Sequence, residues 1–313
     1  MIVSASRRTD IPAFYSDWLF NRLKEGYVLV RNPLNAHQIS KIKLTPDVVD
    51  CIVFWTKNPK PMINRLDELS DYNYYFQFTL NSYSTDIEPN VPSKDKEIIP
   101  TFKALSDKIG KERVVWRYDP ILINQKYTID YHFKYFRKLA ELLDGKFEHC
   151  VISFVDYYRK NSTSFKENNI SELEEQSVAE IAKGFAEISK KLGFTIKTCA
   201  EKYDLNRYGI VHGKCIDDEM ISCIVGENIK VQKDKNQREE CGCVESIDIG
   251  LYNTCPHGCK YCYANYSSKI VAENHQRFDP LSPLLCSTLS EKDKITERNV
   301  KSLIDFQLKF EDI

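Results

Sequence analysis

Short apolar runs that alternate with segments of helical periodicity constrain the fold of this chain more than any other feature of its sequence. Each run is rich in β-branched or aromatic residues and ends in polar residues before a helical pattern begins. This alternation is typical of βα units, and therefore of a parallel sheet. The predicted strands are Ile2 to Ala5, Cys51 to Trp55, Tyr74 to Leu80, Val114 to Tyr118, Cys150 to Val155 and Phe194 to Thr198.

Apolar residues at helical spacing predict outer helices between these strands. They recur over residues 98–109 and again over residues 178–192, and each set forms one apolar face. Right-handed crossovers through such helices either curl a parallel sheet into a barrel or leave it open. We favour a full or partial (β/α) barrel of parallel strands, because polar residues follow nearly every strand and a barrel builds its active site there.

The polar residues at the predicted strand ends are candidate site residues, although solvated loop positions and helix caps would account for about half of them. Arg117 stands between two aromatic residues in an apolar run, so its buried charge needs either a carboxylate partner or a ligand. We expect catalytic groups among Lys57, Arg117 and Asp119. Other polar residues at strand ends are Arg7, Arg8, Asp10, Asn58, Thr79, Asn81, Asp156 and Glu201.

The charge and hydropathy of the sequence limit the kinds of partner that we expect the protein to bind. With 44 basic and 45 acidic side chains, the formal net charge is −1, which gives no general attraction to nucleic acid or to anionic membranes. Binding of nucleic acid by a local basic patch remains an alternative. The first residues lack the apolar run of a signal peptide, and no stretch approaches the ~18 apolar residues of a membrane helix. We therefore expect a cytoplasmic protein without a membrane partner.

Three cysteines in the segment Cys255-Pro256-His257-Gly258-Cys259-Lys260-Tyr261-Cys262-Tyr263 form the strongest chemical motif. Three thiolates can hold three irons of a 4Fe-4S cubane and leave the fourth iron open, and Gly258 lets the backbone wrap closely. Zinc is the alternative, with His257 or a distant cysteine as fourth ligand, but zinc motifs usually repeat a Cys-x2-Cys pair. The spacing therefore favours an iron–sulfur cluster.

This Cys-x3-Cys-x2-Cys spacing, with Tyr261 just before the last cysteine, resembles the signature of radical S-adenosylmethionine enzymes. The resemblance implies a full or partial βα barrel, a 4Fe-4S cluster on Cys255, Cys259 and Cys262, and Tyr261 placed to contact adenine. It implies S-adenosylmethionine as cofactor, an oxygen-sensitive cluster and a reductant such as flavodoxin or ferredoxin. Over nearly its full length the chain resembles a mainly bacterial branch with no known reaction, through Ser6-Arg7-Arg8-Thr9-Asp10, Phe54-Trp55-Thr56-Lys57-Asn58-Pro59 and Trp116-Arg117-Tyr118-Asp119-Pro120.

The late position of the motif indicates a circular permutation, because in that superfamily it usually follows the first barrel strand. We expect residues 247–251 to pair beside Ile2 to Ala5. Residues 1–270 would then form one permuted barrel domain with the cluster loop at 255–262, and residues 271–313 a C-terminal extension packed on it. The place of the superfamily's Gly-Gly-Glu stretch falls to residues 4–10, so the resemblance implies that Ser6, Arg7 and Asp10 bind S-adenosylmethionine, with Lys57 or Arg117 receiving its carboxylate.

Four further cysteines raise the prospect of a second site within residues 199–243. Four thiolates are enough to saturate a cubane, and the candidates are Cys199, Cys215, Cys241 and Cys243, with Cys223 as a substitute for one of them. The alternatives are a structural zinc on the same thiolates or four unrelated thiols. Buried, inert thiols are expected at Cys51, Cys150 and Cys286.

The predicted function is hydrogen abstraction from an unknown polar substrate by a radical S-adenosylmethionine enzyme, with Arg8, Lys57, Arg117 and Asp156 facing the substrate. Two alternatives stay open. One is an iron–sulfur protein for electron transfer or redox sensing, in which the charges at the strand ends have no role. The other is an enzyme of the same superfamily that repairs or modifies nucleic acid, with some of the many aromatic side chains stacking on bases.

Overall fold

A computed structural model of the protein describes residues 1–158 and 161–305. The strands are β1 (Ile2–Ala5), β2 (Tyr27–Arg31), β3 (Gln38–Lys43), β4 (Cys51–Thr56), β5 (Tyr74–Thr79), β6 (Val114–Ile121), β7 (His149–Phe154), β8 (Thr195–Cys199), β9 (Val211–Gly213), β10 (Ile247–Asp248) and β11 (Lys294–Glu297). The α-helices are α1 (Ile11–Phe14), α2 (Ser16–Glu25), α3 (Lys60–Ile63), α4 (Ile99–Ile109), α5 (Ile129–Leu142), α6 (Ser162–Glu167), α7 (Glu175–Leu192), α8 (Asp218–Val225) and α9 (Ser268–Gln276).

Eight strands form one sheet in the order β10-β1-β4-β5-β6-β7-β8-β9, and every neighbouring pair is parallel. All six strands predicted from the apolar runs are present, with small differences at their ends. Within the described residues no pairing joins β9 to β10. The architecture is thus a parallel α/β sheet consistent with a partial (β/α) barrel.

The pairing of β10 with β1 confirms that residues far apart in sequence are neighbours in the sheet. Val3 lies opposite Ile247 and Ser4 opposite Asp248. The Asp248 carboxylate accepts hydrogen bonds from Ser4 Oγ at 2.7 Å, from Ser6 Oγ at 2.7 Å and from the Arg7 backbone N–H at 2.8 Å. Because these three donors come from Ser4, Ser6 and Arg7, the carboxylate fixes the chain at and just beyond the end of β1.

A second sheet was not among the predicted elements. β2 and β3 form an antiparallel hairpin, and β11 adds to β3 in parallel. The segment before β11 lies against α2 and β2: Trp18 Nε1 donates to the Ser282 carbonyl at 2.8 Å, and Leu29 N donates to the Pro283 carbonyl at 3.0 Å. Part of the predicted extension 271–313, residues 306–313, lies outside the described residues.

The two faces of the main sheet are covered differently. Helices α2, α4, α5 and α7 cover one face, where Trp116 stacks on Phe136, and both predicted amphipathic helices are confirmed there as α4 and α7. Side chains alternate along a strand, so Ile2, Val53 and Val151 face the other way. They pack against the segment 215–244, which includes α8. No helix within the described ranges is long and apolar enough to span a bilayer.

Candidate functional site

A pocket lies over the carboxyl ends of β1, β4 and β5. All three cysteines of the motif line it, which brings the C-terminal loop onto the polar residues that follow the first strands. Parallel strands place their carboxyl ends at one edge, so such a pocket is the expected location of a functional site. The lining residues after β1, β4 and β5 are Ser6, Arg7, Arg8, Thr9, Asp10, Lys57 and Thr79.

Hydrogen bonds to backbone groups hold the cysteine loop in place. Lys260 N donates to the Ile87 carbonyl at 2.9 Å, and Ser164 Oγ in α6 donates to the Lys260 carbonyl at 2.7 Å. Gly258 has a φ of 69°, a left-handed conformation that suits glycine, and a Cβ atom there would lie 3.2 Å from Pro89 Cγ. The close wrap predicted at Gly258 is therefore confirmed.

The three thiols are chemically suited to an iron–sulfur cluster. Burial raises the pKa of Cys255 and of Cys262, and it raises the pKa of Cys259 to about 12, so without metal all three are neutral at pH 7. Soft thiolates are the usual ligands of such clusters, and metal binding displaces the thiol protons. Three thiols from one loop leave one iron of a cubane open to a further ligand.

Asp10 joins the cysteine loop to the end of β1. Its Oδ2 accepts from Lys57 N at 2.7 Å and from His257 Nε2 at 2.9 Å, and its Oδ1 accepts from Ala13 N at 3.0 Å and so caps α1. The Ser6 hydroxyl is likewise engaged, with Asp248 and with Arg8 N. Ser6 and Asp10 therefore line the pocket while using their polar groups to position its walls.

A buried ionic cluster stands behind the motif. Glu88 is 1% exposed and accepts from Lys57 Nζ at 2.7 Å, from Lys94 Nζ and from the Tyr261 hydroxyl. Burial alone would raise the pKa of Glu88, but attraction to the two lysines outweighs it and holds the pKa well below its usual range. Lys57 and the Tyr261 hydroxyl are thus bound to a carboxylate at the edge of the pocket.

Buried polar atoms without a partner concentrate at this pocket. The described residues contain six such side-chain atoms, and four of them belong to pocket-lining residues: Arg7 Nη2, Thr9 Oγ1, His257 Nδ1 and Asn265 Oδ1. Buried polar groups are nearly always satisfied in proteins, so a group of unpartnered ones indicates a place where a ligand or water binds. Among the predicted cofactor-binding residues, Arg7 is the one with an atom in this state.

Arg117 and Asp119 lie outside this pocket. Arg117 Nη2 donates to Asp119 Oδ2 at 2.6 Å and its Nε donates to the same oxygen at 3.0 Å, so the carboxylate pairing considered for Arg117 is present. Its Nη1 donates to Gln77 Oε1 at 3.1 Å and to Cys215 Sγ at 2.9 Å. The structure therefore places Lys57 at the cysteine-lined pocket and the other two predicted catalytic residues beside a different group of thiols.

That second group contains all four cysteines predicted for an auxiliary site. Cys199 Sγ and Cys215 Sγ are 3.0 Å apart, and Cys243 Sγ accepts from Cys215 N at 3.2 Å and from Ile216 N at 3.4 Å. Cys241 belongs to the same buried group of side chains as Cys215 and Cys243. Cys223 is exposed, so we exclude it from the group defined by these contacts.

Two residues predicted at strand ends, Asp156 and Glu201, line another pocket after β7 and β8. Asp156 Oδ2 accepts from Arg238 Nη1 at 2.6 Å, and Glu201 Oε1 accepts from Phe154 N at 2.7 Å. Burial raises the pKa of Glu201 to about 8. Asp156 is therefore separate from the pocket lined by Arg8 and Lys57.

In neither cysteine group do the thiols surround one position at which a single metal ion could bind. Across residues 1–158 and 161–305, no set of three or more His, Cys, Asp or Glu side chains is arranged to hold one metal ion. A cubane makes a different demand, because each of its thiolate ligands binds a separate iron. The number, burial and surroundings of the thiols therefore decide whether they suit such a cluster.

Sequence reasoning missed Glu88, Lys94 and Asp248, which organise the site through tertiary contacts. Glu88 lies in a polar loop after β5, and Lys94 begins a short helical turn, Lys94–Ile98, that alternates basic and acidic residues, so no local signal singles them out. Asp248 follows an apolar residue in the predicted strand 247–251, and an acidic residue within an apolar run could have been questioned as Arg117 was.

Comparison with known proteins identifies a family without an assigned activity. The family model described as "Domain of unknown function (DUF1848)" matches residues 2–264. No curated protein matches the chain significantly. Among solved structures, the chain is similar to a protein from Bacteroides thetaiotaomicron VPI-5482 proposed to be an alpha-L-fucosidase, with 12% identity and a TM-score of 0.25, over 50% of this chain and 66% of that one. A likeness this weak carries no argument.

Proposed function

The chain belongs to the DUF1848 family, and within it we propose that the protein is a radical S-adenosylmethionine enzyme acting on an unidentified polar substrate. Cys255, Cys259 and Cys262 would hold the 4Fe-4S cluster. The resemblance of the motif supplies the class of reaction, and the pocket supplies the place for it. When bound, the cluster delivers an electron that splits S-adenosylmethionine into methionine and a 5′-deoxyadenosyl radical, which abstracts hydrogen from the substrate.

One observation carries the proposal. The three thiols share a pocket with four residues whose buried polar atoms lack a partner. A cluster that only carried electrons would need the thiols but not an open pocket with unsatisfied polar walls. The combination instead favours a small polar ligand held beside the open iron, which is the requirement for S-adenosylmethionine.

Different side chains of the pocket would bind different groups of S-adenosylmethionine. Arg7 offers Nη2 as a cationic donor, which suits the carboxylate of the ligand, and its guanidinium is stacked 5.4 Å from the centre of the Trp55 ring. Lys57 is held by Glu88 at 2.7 Å, whereas the ion pair of Arg7 with Asp234 spans 3.8 Å and leaves Nη2 without a partner, so Lys57 is the weaker candidate for the carboxylate. Thr9 Oγ1 and Asn265 Oδ1 offer an acceptor each to an ammonium or hydroxyl group.

The experiment is anaerobic reconstitution with iron and sulfide, reduction with dithionite and addition of S-adenosylmethionine. We expect 5′-deoxyadenosine and methionine in equal amounts from the wild-type protein, and a change in the electron paramagnetic resonance signal of the reduced cluster when S-adenosylmethionine binds. Cys255→Ala, Cys259→Ala and Cys262→Ala should each abolish product formation. Cys223→Ala, which removes an exposed thiol, should leave it unchanged.

Two outcomes would count against the proposal. A reconstituted protein that holds a cluster but gives neither the spectroscopic change nor 5′-deoxyadenosine would support the electron-transfer alternative. Product formation that survives all three alanine substitutions would show that the chemistry lies elsewhere in the chain.

A further inference from the structure

We propose that the protein has a second iron–sulfur site, on the sheet face opposite α2, α4, α5 and α7, formed by Cys199, Cys215, Cys241 and Cys243. We call these four side chains the four-thiol cluster. It shares no ligand with the motif loop, so the inference goes beyond the proposed function and does not depend on it. Its support comes from how the four thiols converge, from the donors that point at their sulfurs and from the charges around them.

The four thiols come from three separate segments of the chain. Cys199 ends β8, Cys215 follows β9, and Cys241 and Cys243 lie in the loop before β10. They are nevertheless in contact: the first two sulfurs are 3.0 Å apart, and the Cys243 sulfur lies 3.2 Å from the backbone N of Cys215. Chance burial of single cysteines does not gather four thiols in one place, whereas a shared cluster requires it.

The position of Cys215 is fixed from the sheet. Tyr75 OH donates to its carbonyl at 2.6 Å and Gln77 Nε2 donates to the same oxygen at 3.0 Å. Both side chains come from β5, in the middle of the sheet. The loop is thus anchored to a rigid element, as a metal–sulfur ligand needs to be.

A buried cationic donor points at one of the sulfurs. Arg117 Nη1 donates to Cys215 Sγ at 2.9 Å, and the same guanidinium is paired with Asp119. A cubane held by four thiolates is an anion, and a charged donor directed at one of its ligating sulfurs would stabilise it.

Backbone N–H groups also point at sulfur. Cys243 Sγ receives two of them, from Cys215 at 3.2 Å and from Ile216 at 3.4 Å. Hydrogen bonds to the ligating sulfurs and exclusion of solvent are the two features by which proteins tune such clusters. Exclusion is present too, because Cys215 is 4% exposed, Cys241 7% and Cys243 2%.

Two rival occupants would use the thiols differently. A disulfide would use only two of the four thiols, and all four are free in the structure. A single zinc ion would be held by the same four thiolates, so the metal content of the protein distinguishes it from an iron–sulfur cluster. A polynuclear cluster distributes its ligands over several metal atoms.

The decisive experiment removes the three thiols of the motif and keeps the four-thiol cluster. We would reconstitute wild-type protein and the triple variant Cys255→Ala, Cys259→Ala and Cys262→Ala anaerobically, then measure iron, acid-labile sulfide and zinc per chain. The inference expects about eight iron atoms in the wild type and about four in the triple variant. Reduced with dithionite, the triple variant should show a cluster signal that S-adenosylmethionine does not change.

Substitution in the triple-variant background tests the ligands. Adding Cys215→Ala should remove the remaining iron and sulfide, whereas adding Cys150→Ala, which deletes a thiol buried in β7 on the helix-covered face of the sheet, should leave both in place. Far-ultraviolet circular dichroism of each variant separates loss of the cluster from loss of the fold.

Three results would overturn the inference while leaving the proposed function intact. They are about four irons in the wild type with none in the folded triple variant, one zinc per chain in place of iron, and two fewer titratable thiols with no metal, which would indicate a disulfide. Conversely, about four irons in the triple variant together with no 5′-deoxyadenosine from the wild type would overturn the proposed function and leave the second site standing.

Discussion

His257 Nε2 lies 2.9 Å from Asp10 Oδ2, and this contact ties the cysteine loop to the segment that follows the first strand. The same carboxylate caps α1 and accepts from Lys57 N. Because both partners are buried, the contact is shielded from solvent. One side chain therefore sets the relative position of the loop, the first helix and the end of β4.

A double-mutant cycle on this pair is the first prediction. Asp10→Asn, His257→Gln and the double variant should be non-additive, with a coupling free energy of about 0.5–3 kcal/mol in urea unfolding, because the two residues share one buried contact. Asp17→Asn, which changes an exposed carboxylate, should alter stability by less than about 0.5 kcal/mol. Simple additivity of the two single variants would mean that the contact does not hold the loop.

Removing the Glu88 carboxylate should be strongly destabilising. Glu88→Gln leaves Lys57 and Lys94 buried beside a neutral amide, and breaking a buried ion pair in this way costs about 3–5 kcal/mol. The matched control is Glu97→Gln, since Glu97 bonds Lys60 and Asn58 but its side chain is more exposed and should contribute less than about 1 kcal/mol. Equal losses in the two variants, measured by urea unfolding, would refute the ionic cluster.

The same carboxylate predicts a pH dependence. The folded pKa of Glu88 lies below its ordinary value of 4.5, so its contribution to stability is complete above about pH 4.5 and is lost as the pH falls through the folded pKa. The difference in unfolding free energy between the wild type and Glu88→Gln should therefore shrink as the pH is lowered from 7 to about 3. A difference that stays constant over this range would show that the carboxylate is not held ionised by the lysines.

Arg7 should govern affinity for S-adenosylmethionine. Replacing it with glutamine removes a charged donor, which is worth about 1.5–3 kcal/mol, so the Kd should rise about tenfold or more in protein matched for iron content. Arg22→Gln is the control, because Arg22 is also buried with an unpartnered nitrogen but lies on α2 outside the pocket. An unchanged Kd in Arg7→Gln would move the carboxylate site to another residue.

Gly250 should not tolerate a side chain. A Cβ atom there would lie 2.1 Å from Ser6 Oγ and 2.6 Å from Ser6 Cβ, so Gly250→Ala must displace the turn after β1. We expect a loss of about 1–3 kcal/mol in unfolding free energy. In Gly242→Ala, by contrast, the nearest side-chain atom is 3.3 Å away on the flexible Lys214, and the loss should be small. Similar stability of the two variants would contradict the close approach of β10 to β1.

Local sequence patterns predicted the strands of the main sheet but not the second sheet of β2, β3 and β11. The main strands are β-branched and buried, so their pattern carries the prediction. The hairpin strand β3 reads QISKIK and is only half buried. Its sheet is completed by β11, where Lys294 lies opposite Gln38. Pairing between segments so distant in sequence produces no local sequence pattern.

Arg117 illustrates how far sequence reasoning about the site reaches. Its place in an apolar run predicted a need for a partner, and the structure supplies Asp119. Residues two apart on a strand share a face, so this pairing could have been foreseen. That the same face also carries Cys215 could not, because the contact depends on how the loop after β9 folds back onto β6.

Since Ser4 and Asp248 are sheet neighbours separated by 244 residues, the order of synthesis affects assembly of the site. The chain emerges from the ribosome N-terminus first, so the free edge of β1 stays open until residues 247–248 have been made. The loop with the three-cysteine motif follows directly after them. A translation product that ends after residue 248 but before Cys262 therefore contains every strand of the main sheet and lacks at least one motif thiol, so the three thiols come together only in chains that extend to Cys262 or beyond.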